Sequence, residues 1–132
     1  MDKHAPPPDQ VTCWLHLGAS IAAFDWEKTP QGMKKLDRAF VKRRFLTTNT
    51  RDLVPILTSA FQPLPDWRPI YSERAVGELT LIFQKGYRAL GFSGSHPYFH
   101  SPNATPEMTG PELLEPVGLA LMKALLAIEA GQ

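Results

Sequence analysis

Two histidines and several hydroxyl-bearing residues lie close together near the C-terminal end of the chain, in the segment GFSGSHPYFHSPNATPE that covers residues 91–107. Imidazole is the commonest protein ligand for metals and the usual acid or base near neutral pH. A serine becomes a nucleophile when a neighbouring base activates it. This composition raises three alternatives: a catalytic serine, a metal site, or a loop that only connects a strand to a helix.

The serine alternative rests on GFSGS at residues 91–95, which nearly matches the nucleophile elbow G-x-S-x-G, with Ser95 in the last place. An elbow must run directly into a helix, and Pro97 with its polar successors disfavours a helix there. No acidic residue stands between Ser93 and either His96 or His100 to complete a triad. A turn of small residues after a strand is therefore favoured, which is a common position for ligands in open α/β sheets.

The metal alternative rests on histidines. The spacing of His96 and His100 would place both rings on one face of a helix, whereas Pro97 and Pro102 favour a loop. His16, within an apolar segment near the N-terminus, is a third metal-capable side chain. For each histidine the alternative interpretation is a ring that only satisfies nearby carbonyl groups or lies at a sheet edge.

The hydrophobic pattern around these residues predicts strands that alternate with helices. The predicted strands are VTCWLHLG, RRFLTTN, the second half of PLPDWRPIYS, and YRALGFSG. The predicted helices are residues 31 to about 42, NTRDLVPILTSAF, SERAVGELTLIFQKG with Ser72 as its cap, and a last helix with Thr109 and Glu112 as a capping box. The segment ASIAAFDWEKTP is predicted to form a loop or one short helical turn.

This alternation indicates a layered α/β domain with some parallel strands flanked by helices. The domain is expected to cover residues 11–132. Residues 1–10 contain three consecutive prolines and are expected to form a flexible arm.

Composition narrows the classes of partner. The 14 Lys plus Arg residues nearly balance the 13 Asp plus Glu residues, so no strong field attracts nucleic acid or an anionic membrane. No stretch approaches the roughly 18 apolar residues of a membrane-spanning helix. The single cysteine, Cys13, cannot form an internal disulfide. We expect a cytoplasmic protein that binds neither nucleic acid nor membranes.

The segment KGYRALGFSGSHPYFHSPNATPEMTGPELLEPVGLALMKAL resembles the C-terminal half of the catalytic domain in the zinc-dependent exopeptidase superfamily, in particular the two-metal aminopeptidases. In that family a strand of the type GxPAL precedes a loop with an aromatic residue, a histidine and a hydroxyl, then a turn and a closing helix. The counterparts here are GYRAL at 86–90, FHSP at 99–102, NATPE at 103–107 and the helix from Pro111. The resemblance extends back to Val11 through VTCWLHLGASIAAFDW and YSERAVGELTLIFQKG.

The resemblance implies a pair of zinc ions bridged by a carboxylate, with a glutamate as general base on the metal-bound water. The family's last metal ligand corresponds to His100, and the hydroxyl that follows it would hold the ring. His96 and His16 are further candidates, since the strand CWLHLG carries His16 and no aspartate where the family has a ligand aspartate. The other ligands and the general base come earlier in the family's chain.

We therefore expect a truncated aminopeptidase-like hydrolase domain with an incomplete zinc site and no assigned catalytic residue, inactive alone. A half-sheet with an open edge should associate as a homo-oligomer or with a missing partner segment. The alternative function is a non-catalytic module that binds a small molecule or a peptide-like ligand on the same scaffold. A purely structural or interaction domain is a third alternative. The expected ligand-binding residues are Ser93, Ser95, Tyr98, Phe99, Ser101 and Thr105.

Overall fold

The described part of the chain comprises residues 4–18, 21–39, 44–94, 102 and 105–131 of a computed structural model. Four strands come first, and three α-helices that alternate with two further strands follow. The strands are β1 (Trp14–Leu17), β2 (Phe24–Thr29), β3 (Gly32–Ala39), β4 (Phe45–Thr48), β5 (Pro69–Tyr71) and β6 (Ala89–Ser93). The α-helices are α1 (Leu53–Ala60), α2 (Leu79–Gln84) and α3 (Pro111–Glu129). The predicted α/β class is confirmed.

Four of the strands form a mixed sheet in the order β1-β6-β4-β5. Strand β1 pairs parallel with β6, β6 pairs antiparallel with β4, and β4 pairs parallel with β5. The prediction of some parallel pairing is therefore confirmed. Both parallel pairs enclose helical segments, because a parallel connection must cross back over the sheet.

One face of the sheet carries the larger core. Leu46 of β4 and Phe92 of β6 are fully buried and pair in register, and both belong to an apolar cluster with residues of α1 and α3. Phe92 lies at the centre, since its ring contacts those of Phe61 and Trp67 at centroid distances of 5.5 and 5.2 Å. Alternate strand residues supply this face, as the period of a strand requires.

The opposite face is covered by α2 over β1 and β6. Leu79 and Ile82 of α2 pack with Ala89 and Tyr87 in a second apolar cluster. The Trp14 ring contacts the Tyr87 ring in a tilted arrangement, at a centroid distance of 5.0 Å. The Tyr87 hydroxyl donates a hydrogen bond of 2.6 Å to the carbonyl oxygen of Pro6, which attaches the proline-rich segment to this face.

The predicted helix over residues 31 to about 42 is wrong. Strands β2 and β3 form an antiparallel hairpin instead, with Gly32 at a φ of 112° in the turn. Opposite charges face each other across the hairpin, since Glu27 pairs in register with Lys34. Met33 stays largely exposed, so the few apolar side chains here do not form the buried stripe that a surface helix requires.

The hairpin also overturns the expected loop or helical turn over ASIAAFDWEKTP, part of which is β2. Asp25 of β2 bonds Arg38 of β3 at 3.0 Å, and the ammonium of Lys35 lies 4.5 Å from the centroid of the Phe24 ring. The charged side chains of β3 therefore stabilise strand pairing instead of forming a solvated helix face.

Two predicted helix caps are wrong as well. Helix α2 begins after Glu78 and not after Ser72, whose hydroxyl instead accepts a hydrogen bond from the backbone N–H of Arg74. Helix α3 begins after Gly110, and the Thr109 hydroxyl donates to the carbonyl oxygen of Pro106. No helix within the described residues combines the length and apolar content needed to cross a membrane.

Candidate functional site

The carboxyl ends of β1 and β6 lie side by side because these two strands run parallel. The backbone N–H of Gly18, directly after β1, donates to the carbonyl oxygen of Phe92 at 2.8 Å. A Cβ atom at Gly18 would lie 2.2 Å from that same oxygen, so only glycine allows the strand ends to approach this closely. This edge, with the residues that follow each strand, is the candidate site.

His16 is the described histidine at this part of the sheet. It pairs in register with Gly91 of β6, and its Nε2 atom lies 3.7 Å from Oε2 of Glu78 at the start of α2. The imidazole is 22% exposed and the carboxylate 87% exposed, so solvent reaches the pair. The pair forms an ion pair when the imidazole is protonated.

Gly91 makes room for this arrangement. A Cβ atom at Gly91 would lie 2.6 Å from a methyl carbon of Leu79 and 3.3 Å from Cβ of His16. The missing side chain therefore lets α2 approach the sheet, which brings the Glu78 carboxylate within reach of His16. The glycine at position 91 thus allows His16 of β1 and Leu79 of α2 to lie close to β6.

Ser93, the last residue of β6, is half-buried and pairs in register with Phe45 of β4. Gly110 donates its N–H to the carbonyl oxygen of Ala22 at 3.1 Å, and Thr109 forms a β-bridge with Ala23. Both ends of the connection between β6 and α3 are thus held near the residues that follow β1.

Thr105 is exposed near the end of this connection. Its side chain hydrogen-bonds the carboxylate of Glu107, which together with a backbone hydrogen bond lowers the pKa of this fully exposed group. Thr105 therefore orders the short turn that leads into α3. Among the described residues, neither His16 nor Ser93 forms a hydrogen bond with Thr105.

Most of the other residues expected at the site lie outside the described part of the chain. These are the metal candidates His100 and His96 and the ligand-binding candidates Ser95, Tyr98, Phe99 and Ser101. The described residues Gly94 and Thr105 lie on either side of that segment in the sequence.

Comparison of the chain with protein-family models, with curated proteins and with solved structures found no match. The resemblance to zinc exopeptidases therefore rests on the sequence pattern alone, and the site is judged by its geometry.

The His16–Glu78 pair fits the spacing of two ligands on one zinc ion. Nitrogen and oxygen ligands lie about 2.1 Å from a tetrahedral zinc, which places two of them roughly 3.4 Å apart. The observed separation of 3.7 Å is close to that value. No group of three or more His, Cys, Asp and Glu side chains with metal-binding geometry occurs among the described residues.

Glu78 was not anticipated from the sequence. The predicted helix over SERAVGELTLIFQKG placed it inside the helix and not at the helix start. The usable signal was the glycine at position 77, whose φ of 63° ends the preceding loop immediately before Glu78 and α2. A glycine inside a helical pattern is unfavourable and lowers the expectation that one helix runs through it.

Cys13, the remaining metal-capable residue near β1, does not face this site. It packs with Leu15 against the larger core, whereas His16 lies on the face covered by α2. Burial raises the pKa of the Cys13 thiol, although the charge of Arg88 and a backbone hydrogen bond from Leu90 act in the opposite direction. The thiol is therefore mostly protonated near neutral pH.

The raised pKa predicts slow thiol chemistry. At pH 8 we expect Cys13 to react with a disulfide reagent such as DTNB at least tenfold more slowly in the folded protein than in guanidinium chloride, because the thiolate is the reactive species. The absorbance of the released thiolate measures both rates. Equal rates in the two conditions would contradict the burial of this thiol.

Proposed function

We propose that this chain is a zinc aminopeptidase-like domain that binds zinc at the carboxyl edge of β1 and β6 and does not hydrolyse peptides by itself. The observation that carries the proposal is the His16–Glu78 pair, whose 3.7 Å separation suits two ligands of one metal ion. The proposed third ligand is His100, which the resemblance assigns to the metal and which lies in the segment that leaves β6 at this edge.

The placement of the pair supports this function. Ligands in open α/β sheets bind beyond the carboxyl ends of the strands, and His16 lies one residue before the end of β1. Because β1 and β6 run parallel, the end of β6 at Ser93 lies at the same edge. Two imidazoles and one carboxylate would leave a fourth position on zinc for water, as in catalytic zinc sites.

When bound, zinc would act as a Lewis acid and lower the pKa of that water. His16 and His100 would hold the ion as neutral imidazoles, and Glu78 would supply negative charge. The general base that the family uses has no counterpart that we assign in this chain, so hydrolysis is expected to need residues from a further segment or partner.

The test is zinc titration of the metal-free protein by isothermal calorimetry at pH 7.5. Replacement of His100 with alanine should raise the zinc Kd at least a hundredfold, since a site with three protein ligands loses one of them. The replacements His16→Ala and Glu78→Gln should each raise the Kd at least tenfold.

The exposed residue His4 provides the matched control, because it lies in the N-terminal segment away from the sheet edge. The variant His4→Ala should bind zinc as the unmodified chain does. Equal and weak binding by all variants would remove the metal site. If His100→Ala is the only variant that loses zinc binding, the protein has a metal site but His16 and Glu78 are not its ligands.

A second candidate is a binding module on the same scaffold that uses no metal. It is favoured by the small residues Gly18, Ser93 and Gly94, which lie at the carboxyl ends of β1 and β6. The aromatic residues Tyr98 and Phe99 would then contact an apolar group of the ligand. A rise in melting temperature with dipeptides in the presence of EDTA supports this candidate over the zinc site.

A further inference from the structure

The outer face of α3 carries an apolar surface that no described element covers. Leu119, Met122 and Leu126 are 64%, 62% and 61% exposed, and Leu114 and Leu125 are also exposed. The opposite face of the helix is buried through Val117, Ala120, Ala124 and Ile128. A helix that is apolar on both faces is typical of one buried on both sides.

Gly118 lies toward one side of this outer face. A Cβ atom built at this position would meet no atom within 4 Å, so the space above it is open. Met122 follows one turn later on the same face, since a helix advances by about 100° per residue. The face therefore presents a depression at Gly118 beside a long flexible side chain at Met122.

The other exposed side chains lie on two flanks, one on each side of the line that joins Gly118 and Met122. Leu114 and Leu125 lie on one flank, because eleven residues bring the helix back to nearly the same angle. Glu115, Leu119 and Lys123 lie on the other flank, each four residues from the next. Leu126 belongs to the same flank, at an angle between those of Glu115 and Leu119. The second flank is thus acidic in its first half and basic in its second half.

We propose that α3 of one chain packs antiparallel against α3 of a second copy, about a two-fold axis near residues 119 and 120. A two-fold axis makes each patch face itself, with residue i opposite residue j and j opposite i. One register then places Met122 over Gly118 of the other copy, Leu114 against Leu125, and Leu119 against Leu119. The same register places Glu115 opposite Lys123, so that the charges on the second flank are complementary.

The size of the face fits a dimer contact. The five apolar side chains expose on the order of 400 Å², in the range of the largest patch on a typical monomer. A standard interface buries about 800 Å² per partner, of which somewhat more than half is apolar. The charged residues at the rim of the face, including Glu112 and Glu129, would supply the rest.

The experiment is sedimentation velocity on the full chain over a range of concentrations. The unmodified chain should dimerise. The charge reversals Glu115→Lys and Lys123→Glu should each raise the dimer Kd at least tenfold, because each places like charges opposite each other twice in a two-fold dimer. The double variant Glu115→Lys/Lys123→Glu should return the Kd to within about threefold of the starting value, which general loss of stability would not do.

Disulfide cross-linking tests the proposed register of the two α3 helices independently. In a Cys13→Ala background, Leu119→Cys should form an intermolecular disulfide on mild oxidation, and Leu81→Cys on the exposed side of α2 should not. The variant Val76→Glu, at an exposed apolar position away from α3, should leave the Kd unchanged.

A monomer at millimolar concentration overturns the proposal. A dimer whose Kd is unaffected by both charge reversals also overturns it, because the two copies would then meet elsewhere. Neither outcome depends on zinc, so the proposed metal site stands or falls by its own titration.

Discussion

Replacement of Phe92 with alanine is expected to lower the free energy of unfolding by about 3–5 kcal/mol, the range for removal of a buried aromatic side chain from a core. Phe92 is fully buried, and its ring contacts Phe61 and Trp67 from two sides. The rings of Phe61 and Trp67 are large, lie in the segment after α1 and are themselves buried. The cavity left by the Phe92 ring would therefore not collapse completely. The loss is comparable to much of the total stability of about 5–15 kcal/mol of a typical domain.

The matched control is Phe45→Ala on the neighbouring strand. Phe45 is 44% exposed on the other face of the sheet, so its replacement should cost about 1 kcal/mol or less. Urea denaturation followed by circular dichroism measures both changes, and an unchanged slope of free energy against urea shows that the variants unfold from a similarly compact state. Equal losses for the two variants would contradict the central position assigned to Phe92.

Several elements of the fold could be predicted from the sequence alone. Strands β1, β4 and β6 were predictable because they are short apolar runs that end at small or polar residues, and such runs favour burial on both faces. Helix α3 was predictable because its buried residues Val117, Ala120, Ala124 and Ile128 recur at helical spacing. Local pattern alone was sufficient for these elements.

The hairpin of β2 and β3 was missed because its stabilising contacts are between strands. Asp25 with Arg38, and Lys35 with Phe24, are far apart in sequence. Read singly, the lysines and arginine of β3 have the spacing of a charged helix surface. Tertiary pairing thus overrides a weak helical pattern.

The candidate site was only partly predictable for a similar reason. His16 stood out by its residue type, but its partner Glu78 lies 62 residues later and is brought close by the absence of a side chain at Gly91. No local pattern links these three positions. Their proximity follows from the parallel pairing of β1 with β6 and from the approach of α2 to that pair.

Asn49 joins β4 to β6 beyond the last residue of the paired strand. Its side-chain oxygen accepts a hydrogen bond of 3.0 Å from the N–H of Ala89, and its side-chain nitrogen donates one of 2.7 Å to the carbonyl oxygen of Tyr87. One amide therefore satisfies both a backbone donor and a backbone acceptor, which a carboxylate, an acceptor only, cannot do.

Replacement of Asn49 with aspartate is expected to lower the free energy of unfolding by about 2–3 kcal/mol at pH 7. The shape of the side chain is kept, and the bond from Ala89 remains possible. The donor to Tyr87 is lost, however, and a carboxylate oxygen would face that carbonyl oxygen. The control Gln62→Glu introduces the same charge at an exposed turn position and should change stability by less than about 0.5 kcal/mol.

The pH dependence of this variant distinguishes a lost hydrogen bond from a lost shape. A carboxylate that faces a carbonyl oxygen favours its protonated form in the folded state, so the folded pKa lies above the unfolded value of about 3.9. The folded protein then binds more protons than the unfolded chain, and the stability of the variant relative to the unmodified chain rises as pH falls through that interval. Thermal melts at pH 7 and pH 4 should show the difference narrowing, because protonated aspartic acid can again donate to Tyr87. A difference that stays constant or widens at pH 4 would contradict the role of the Asn49 amide as a donor to β6.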